Sequence, residues 1–125
     1  MKLNFNASEF EANHSDLCIG FSEENDGEHY FIMQRDDSYI EEDLPNVESI
    51  YSELDDQCWG GNGGIDWVTL SRNKFIIHYN SSSTTRIGYD EIEINFSLKN
   101  SDFQELRNVL QKIMRGYEDK LNFVD

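Results

Sequence analysis

The stretch YSELDDQCWGGNGGIDWVTLSR, residues 51–72, concentrates side chains that can bind or react. It holds four acidic residues, two tryptophans and four glycines. Glycine loops can cradle phosphate, carboxylates can bind metal ions, and aromatic side chains mixed with charges are typical of protein-binding surfaces. The spacing of the residues decides among these chemistries.

The glycine cluster lacks the residues that a phosphate site requires. A P-loop needs Lys and then Ser or Thr directly after its last glycine, and a dinucleotide loop must open a helix. Here Ile65 and Asp66 follow the last glycine, and DWVTLS has the composition of a strand. The acidic flank from Glu53 to Asp56 would also repel phosphate. The sequence therefore predicts no nucleotide site and no cofactor.

Metal binding also has little support in the sequence. Oxygen ligands are abundant in ELDDQ and SEENDGE, but neither segment has the D-x-D-x-D-G spacing with Glu at the twelfth position. Cys18 and Cys58 show no CxxC-type spacing, which favours free thiols over a zinc site or a disulfide framework. The sequence predicts no metal site.

A catalytic site would have to use His14, His29 or His78 together with a carboxylate. None of the three histidines lies in a recognised local signature, and catalysis needs a nucleophile, a base and an orienting group that meet in space. His78 is expected on the surface of a strand. A small hydrolytic enzyme using a His/carboxylate pair stays open as the alternative function.

Trp59 and Trp67 flank the glycine loop and stand beside Glu53, Asp55 and Asp56. Large aromatic anchors next to charged groups suit a surface that binds another protein. We expect Trp59 to be exposed in the loop and Trp67 to belong to the core within its strand.

Most of the chain has the period-two alternation of strands. In KLNFNA, Leu3 and Phe5 face one side, and in EIEINFSLK the residues Ile92 and Ile94 do the same. Further strand-like runs are DLCIGF, HYFIMQR, VESIYSEL, IDWVTLSR and KFIIHYN, the last two meeting in a tight hairpin around residues 72–73.

The segment SDFQELRNVLQKIMRG changes to helical periodicity. Its apolar residues recur at steps of three and four, and Ser101 with Gln104 fits a capping box. Strands followed by one helix predict an α+β fold: an antiparallel β-sheet of about six to seven strands with a C-terminal α-helix packed on one face. The length suits a single domain, residues 1–125.

The net charge is −15, and its distribution is one-sided. Residues 1–66 hold 17 acidic and 2 basic residues, whereas residues 67–125 hold 8 of each. Such a field repels nucleic acid and anionic membranes and attracts a basic partner. The N-terminus has no apolar run typical of a secretory signal and no window resembles a membrane span, so we expect a cytoplasmic protein.

The order of four segments resembles the immunity protein 10 family of bacterial polymorphic toxin and contact-dependent inhibition systems. The segments are LNFNA, IGFSEENDGEHYFIMQR, IYSELDDQCWGGNGGIDWVTLSRNKFIIHYN and EIEINFSLKNSDFQELRNVLQKIMRG. YSELDDQ, GGI and LSR are the most telling parts. The resemblance implies a small cytoplasmic protein, made beside a toxin, that binds and neutralises the toxin. It implies no catalytic motif.

Charge and resemblance together predict an immunity protein that occludes the active cleft of a basic toxin, expected to be a nuclease. Carboxylates in DDSYIEED and YSELDDQ would match the positive surface of the toxin. The candidate toxin-binding residues are Asp36, Asp37, Glu41, Glu42, Asp43, Glu53, Asp55, Asp56, Trp59 and Asp66.

Overall fold

A computed structural model describes residues 1–23, 29–35, 50–80 and 87–124. Five of the candidate toxin-binding residues, Asp36, Asp37, Glu41, Glu42 and Asp43, lie outside the described residues. In chain order the described strands are β1 (Lys2–Asn6), β2 (Glu9–Asn13), β3 (Cys18–Ser22), β4 (Tyr30–Arg35), β5 (Ile50–Leu54), β6 (Gly61–Asn62), β7 (Ile65–Ser71), β8 (Lys74–Tyr79), β9 (Glu91–Asn95) and β10 (Leu121–Phe123), and helix α1 spans Asn100–Ile113.

The strands form two sheets of five. Sheet 1 has the order β1-β9-β8-β7-β10, and sheet 2 has the order β2-β3-β4-β5-β6. Sheet 2 is antiparallel throughout. In sheet 1 the predicted β7–β8 hairpin is confirmed, while the two edge strands, β1 and β10, run parallel to their neighbours.

Aromatic rings from the two sheets meet in one hydrophobic core. The ring of Phe75 on β8 lies 5.4 Å from that of Phe21 on β3 and 5.6 Å from that of Phe31 on β4. Across the same core, the Tyr79 hydroxyl donates a hydrogen bond to Ser52 Oγ at 2.8 Å. Each sheet therefore has an inner face that packs on the other sheet and an outer face that points away from it.

The α+β class and the C-terminal helix are confirmed, but the single sheet of six to seven strands is wrong. Alternation along a strand shows which face is buried, but it does not show what covers that face. β6 and β10 have only two and three residues, too few to show a period. β1 pairs with β9, a partner from the far end of the chain that local patterns cannot identify.

Helix α1 buries the stripe Leu106, Val109, Leu110 and Ile113 and packs beside β2 and β3. The predicted capping box is wrong, because the helix begins at Asn100 and its N-cap is Lys99, whose side chain makes no capping bond. Ser101 therefore lies inside the first turn.

Arg35 ties the end of β4 to the end of α1. Its side chain is buried, and Nη1 donates hydrogen bonds to the backbone carbonyls of Ile113, at 2.8 Å, and Arg115. The guanidinium also lies over the ring of Tyr117, 5.2 Å from its centroid. Burial lowers the pKa of Arg35. The last carbonyls of a helix have no partner within the helix, so Arg35 supplies donors that the fold requires.

We predict that Arg35→Met lowers the free energy of unfolding by about 2–3 kcal/mol, because it removes charged donors from buried carbonyls. Arg115→Met changes an exposed side chain of the same type and serves as the control, with an effect within about 0.5 kcal/mol. Chemical denaturation of both variants measures this. Equal midpoints for the two would contradict the role of Arg35.

Candidate functional site

The outer face of sheet 2 is acidic. Strand register places Glu11 opposite Gly20, Gly20 opposite Ile32, and Ile32 opposite Glu53, so these residues form one row across four strands. A neighbouring row contains Glu9, Ser22 and Tyr30. We use the name acidic face for the outward residues Glu9, Glu11, Gly20, Ser22, Tyr30, Ile32, Tyr51 and Glu53.

No lysine or arginine of β2–β6 contributes to the acidic face. The five strands contain one basic residue, Arg35, and its side chain binds the end of α1 on the core side. Within the described ranges, neither Glu9, Glu11 nor Glu53 has a salt bridge. The described side chains therefore do not cancel the negative charge of this face.

The outer face of sheet 1 contrasts with it. There Glu93 is bound by Lys2, with Nζ 3.0 Å from Oε1, and by Lys74, with Nζ 3.6 Å from Oε2. The hydrogen bond from Lys2 holds the pKa of the Glu93 carboxyl below its usual value. Glu93 on sheet 1 thus has lysine partners, whereas the structure shows none among the described residues for Glu9, Glu11 and Glu53.

Glu53 orders the β5 end of the acidic face. Its side chain is nearly buried, and it accepts hydrogen bonds from the hydroxyls of Tyr30 and Tyr51. The hydrogen bond to the carboxylate raises the pKa of the Tyr30 hydroxyl, and burial adds to this effect. Both donors are neutral, so they orient the carboxylate without cancelling its charge. Two tyrosine rings are fixed in place beside it.

Asp55 and Asp56 follow β5 and have different roles. Asp55 has a positive φ of 66°, uncommon for a residue other than glycine. Its carboxylate accepts from the backbone N–H of Tyr30 at 3.0 Å and lies 2.9 Å from His29 Nδ1. Asp56 is exposed and accepts from the N–H of Cys58 at 3.0 Å, which lowers its pKa. Asp55 thus fixes the turn, while Asp56 faces solvent.

Trp59 is 45% exposed, so the prediction of an exposed loop tryptophan is confirmed. It ends a 3₁₀ turn, Gln57–Trp59, that Asp56 caps. The next residue, Gly60, passes so close to Tyr51 that an added Cβ would lie 2.1 Å from the tyrosine oxygen. Tyr51 in turn is bound to Glu53. The contact between Gly60 and Tyr51 therefore places the 3₁₀ turn at the edge of the acidic face.

Asp66 lies on sheet 1, apart from the other candidate residues. Its Oδ2 is 3.1 Å from His78 Nδ1, and the His78 ring stacks on Trp67 with centroids 5.2 Å apart.

The expectation that Trp67 belongs to the core is wrong. The buried residues of β7 are Ile65, Val68 and Leu70. Trp67 lies on the outer face of the sheet, beside His78. The alternation in WVTL already indicated this, because Trp67 and Thr69 must point away from the face that carries Val68 and Leu70.

The hydrolase alternative requires a His/carboxylate pair, and the described residues contain three: His14 with Glu105, His29 with Asp55 and His78 with Asp66. Cys58 is an exposed thiol two residues after Asp56. Partial desolvation and the nearby Asp56 carboxylate raise the pKa of the Cys58 thiol, which disfavours the thiolate nucleophile. In the described part of the chain, no group of three or more His, Cys, Asp or Glu side chains could hold a metal ion, and no helix is long and apolar enough to cross a membrane.

The structure brings together Glu53, Asp55, Asp56 and Trp59, and it adds residues that the sequence analysis missed. Glu9, Glu11, Tyr30 and Tyr51 share the outer side of sheet 2 or its edge with them. Glu9 and Glu11 could have been found from the alternation EFEA. Phe10 and Ala12 are half-buried, so the two glutamates must point to the other face of β2.

Comparison with known proteins identifies the family. The family model described as Immunity protein 10 matches residues 4–104, a range that begins in β1, includes every described strand of sheet 2 and ends in the first turns of α1. Neither the curated proteins nor the solved structures gave a match. Because the matched range covers most of the 125 residues, this chain belongs to the immunity protein 10 family.

Proposed function

We propose that this protein neutralises its cognate toxin by laying the acidic face of sheet 2 over a basic cleft of the toxin. Membership of the family implies an immunity protein with a toxin partner. The observation that supports the mode of binding is the set of carboxylates on the acidic face, to which the described strands of sheet 2 contribute no outward lysine or arginine.

The cleft that best complements this face is one that normally binds phosphate groups, as in a nuclease. Such a cleft presents lysine and arginine side chains, and carboxylates of the inhibitor would take the positions of the substrate phosphates. Glu9, Glu11, Glu53 and Asp56 supply carboxylates on or beside the described face. The acidic residues in DDSYIEED remain part of the proposal on sequence grounds.

Aromatic side chains supply the contact area that carboxylates cannot. Tyr30 and Tyr51 are held by Glu53, so little conformational freedom is lost when they meet a partner. Trp59 projects from the capped turn at the edge of the face. Tryptophan and tyrosine are enriched among the residues that dominate binding energy. The proposed interface therefore consists of aromatic anchor residues surrounded by carboxylates.

The direct test is a pull-down with the product of the neighbouring toxin gene, followed by inhibition of that toxin in vitro. We expect one complex, and we expect the toxin to lose activity in it. Failure of the purified proteins to associate would overturn the proposal.

The association rate should depend strongly on salt. We predict a fall of about tenfold or more between roughly 0.01 M and 0.15 M ionic strength, where the screening length shortens from about 30 Å to about 8 Å. The dissociation rate should change much less. Stopped-flow kinetics measures both. An association rate that stays flat over this range would show that the acidic face does not steer binding.

The two tryptophans should behave differently. Trp59→Ala should weaken toxin binding by about 2 kcal/mol, because it removes an anchor from the proposed interface. Its stability should be unchanged, since the ring is exposed. Trp67→Ala is the matched control on the outer face of sheet 1, and we expect toxin affinity to stay at the wild-type value. Calorimetric titration and thermal unfolding test both variants, and normal binding by Trp59→Ala would exclude its turn from the interface.

The hydrolase alternative makes its own prediction. The pair formed by His29 and Asp55 lies beside the acidic face, so it is the pair to test first. We expect the isolated protein to hydrolyse neither RNA, DNA nor simple phosphoesters, because no nucleophile signature accompanies the histidine. Reproducible turnover that is lost in His29→Ala or His78→Ala would favour the enzyme instead.

A further inference from the structure

A groove crosses the acidic face above Gly20. Its volume is about 250 Å³, and its walls include Glu9, Glu11, Tyr30 and Ile32. The groove exists because Gly20 contributes no side chain to the row in which Glu11 and Ile32 are its neighbours. The sheet is therefore indented at one point on the face that carries the negative charge.

The backbone does not require glycine at this position. Gly20 lies within β3 and is not among the glycines with positive φ. An added Cβ would lie 3.7 Å from the Phe31 carbonyl oxygen and 3.9 Å from Ile32 Cγ1, both ordinary contact distances. Glycine inside a strand is less stable than alanine, and it often marks a place where a ligand approaches closely. Neither the backbone conformation nor the packing requires glycine at position 20, and the effect of the glycine is to leave open space above β3.

The walls of the groove suit a long cationic side chain. Glu9 and Glu11 supply carboxylates on the β2 side, while Tyr30 and Ile32 supply apolar surface on the β4 side. Lysine and arginine pack their aliphatic stems on such surface and keep their charged ends near acceptors, and a guanidinium can also stack on a tyrosine ring. A purely apolar guest would strip water from two carboxylates without giving them a partner.

We propose that the groove above Gly20 is a subsite for one lysine or arginine side chain of the toxin. The proposal rests on the proposed function and names the chemistry that the acidic face recognises. The two carboxylates on β2 bind the cation, and the absent side chain of Gly20 gives it room. Within the described strands of sheet 2, no basic residue of this protein competes for the place.

The test compares toxin affinity for three variants. Gly20→Val places a β-branched side chain in the groove, and Glu11→Gln removes one carboxylate while keeping its shape. We expect each to weaken binding by about tenfold or more. Glu105→Gln is the control, since Glu105 is an exposed carboxylate on α1 that pairs with His14, and the substitution changes the net charge equally. We expect it to weaken binding by less than about twofold. If Gly20→Val fails to fold, Gly20→Ala, whose Cβ has space, replaces it.

A double-mutant cycle then identifies the occupant. Each surface lysine and arginine of the toxin is changed to alanine and measured against wild type and Glu11→Gln. We expect one toxin residue to lose most of its effect in the Glu11→Gln background.

The outcomes are distinguishable. If Trp59→Ala weakens binding but the groove variants bind as Glu105→Gln does, the groove is empty in the complex and the subsite is overturned while the proposed function stands. Weaker binding by Gly20→Val alone would indicate an apolar occupant and would also overturn it. Failure of the wild-type protein to bind the toxin would overturn both proposals.

Discussion

The packing of sheet 1 on sheet 2 determines the rest of the structure. Phe21 and Phe31 must face Phe75 to form the core, and successive side chains of a strand point to opposite faces. Once Phe21 and Phe31 point inward, Gly20 and Ile32 must point outward, and strand register places Glu11 and Glu53 beside them. The acidic face is thus a direct consequence of the hydrophobic core, and a slip of one residue in register would bury its carboxylates.

An uncompensated acidic face works against folding, because like charges repel in the compact state. The protein offsets part of this through neutral donors: two tyrosine hydroxyls bind Glu53, and backbone N–H groups bind Asp55 and Asp56. On sheet 1 the same protein uses Lys2 and Lys74 to neutralise Glu93. Among the residues that the structure describes, lysines thus neutralise Glu93 on sheet 1 but no carboxylate of the acidic face. This is the arrangement expected if a partner protein supplies the cations for sheet 2.

Part of this could be predicted from the sequence. Alternation in KLNFNA and EIEIN showed which residues of β1 and β9 face the core, and helical spacing located the start of α1 to within two residues. The one-sided charge pointed to a basic partner. The division into two sheets could not be predicted, because it depends on contacts between strands far apart in the chain. Glu9 and Glu11 were missed for the same reason, since only sheet register places Glu11 in line with Glu53 and Glu9 in the neighbouring row. Trp67 was assigned to the core by residue type, although its alternation with Val68 and Leu70 indicated the outer face.

The central claim is that the outer face of sheet 2 contacts the toxin. Hydroxyl-radical footprinting of the free protein and of its complex with the toxin tests this most directly, because aromatic side chains on both outer faces report in one experiment. The account predicts that Trp59, Tyr30 and Tyr51 become protected in the complex while Trp67 and His78 keep their reactivity. Protection of Trp67 and His78, with Trp59 and the two tyrosines unchanged, would place the toxin on sheet 1 and contradict the account.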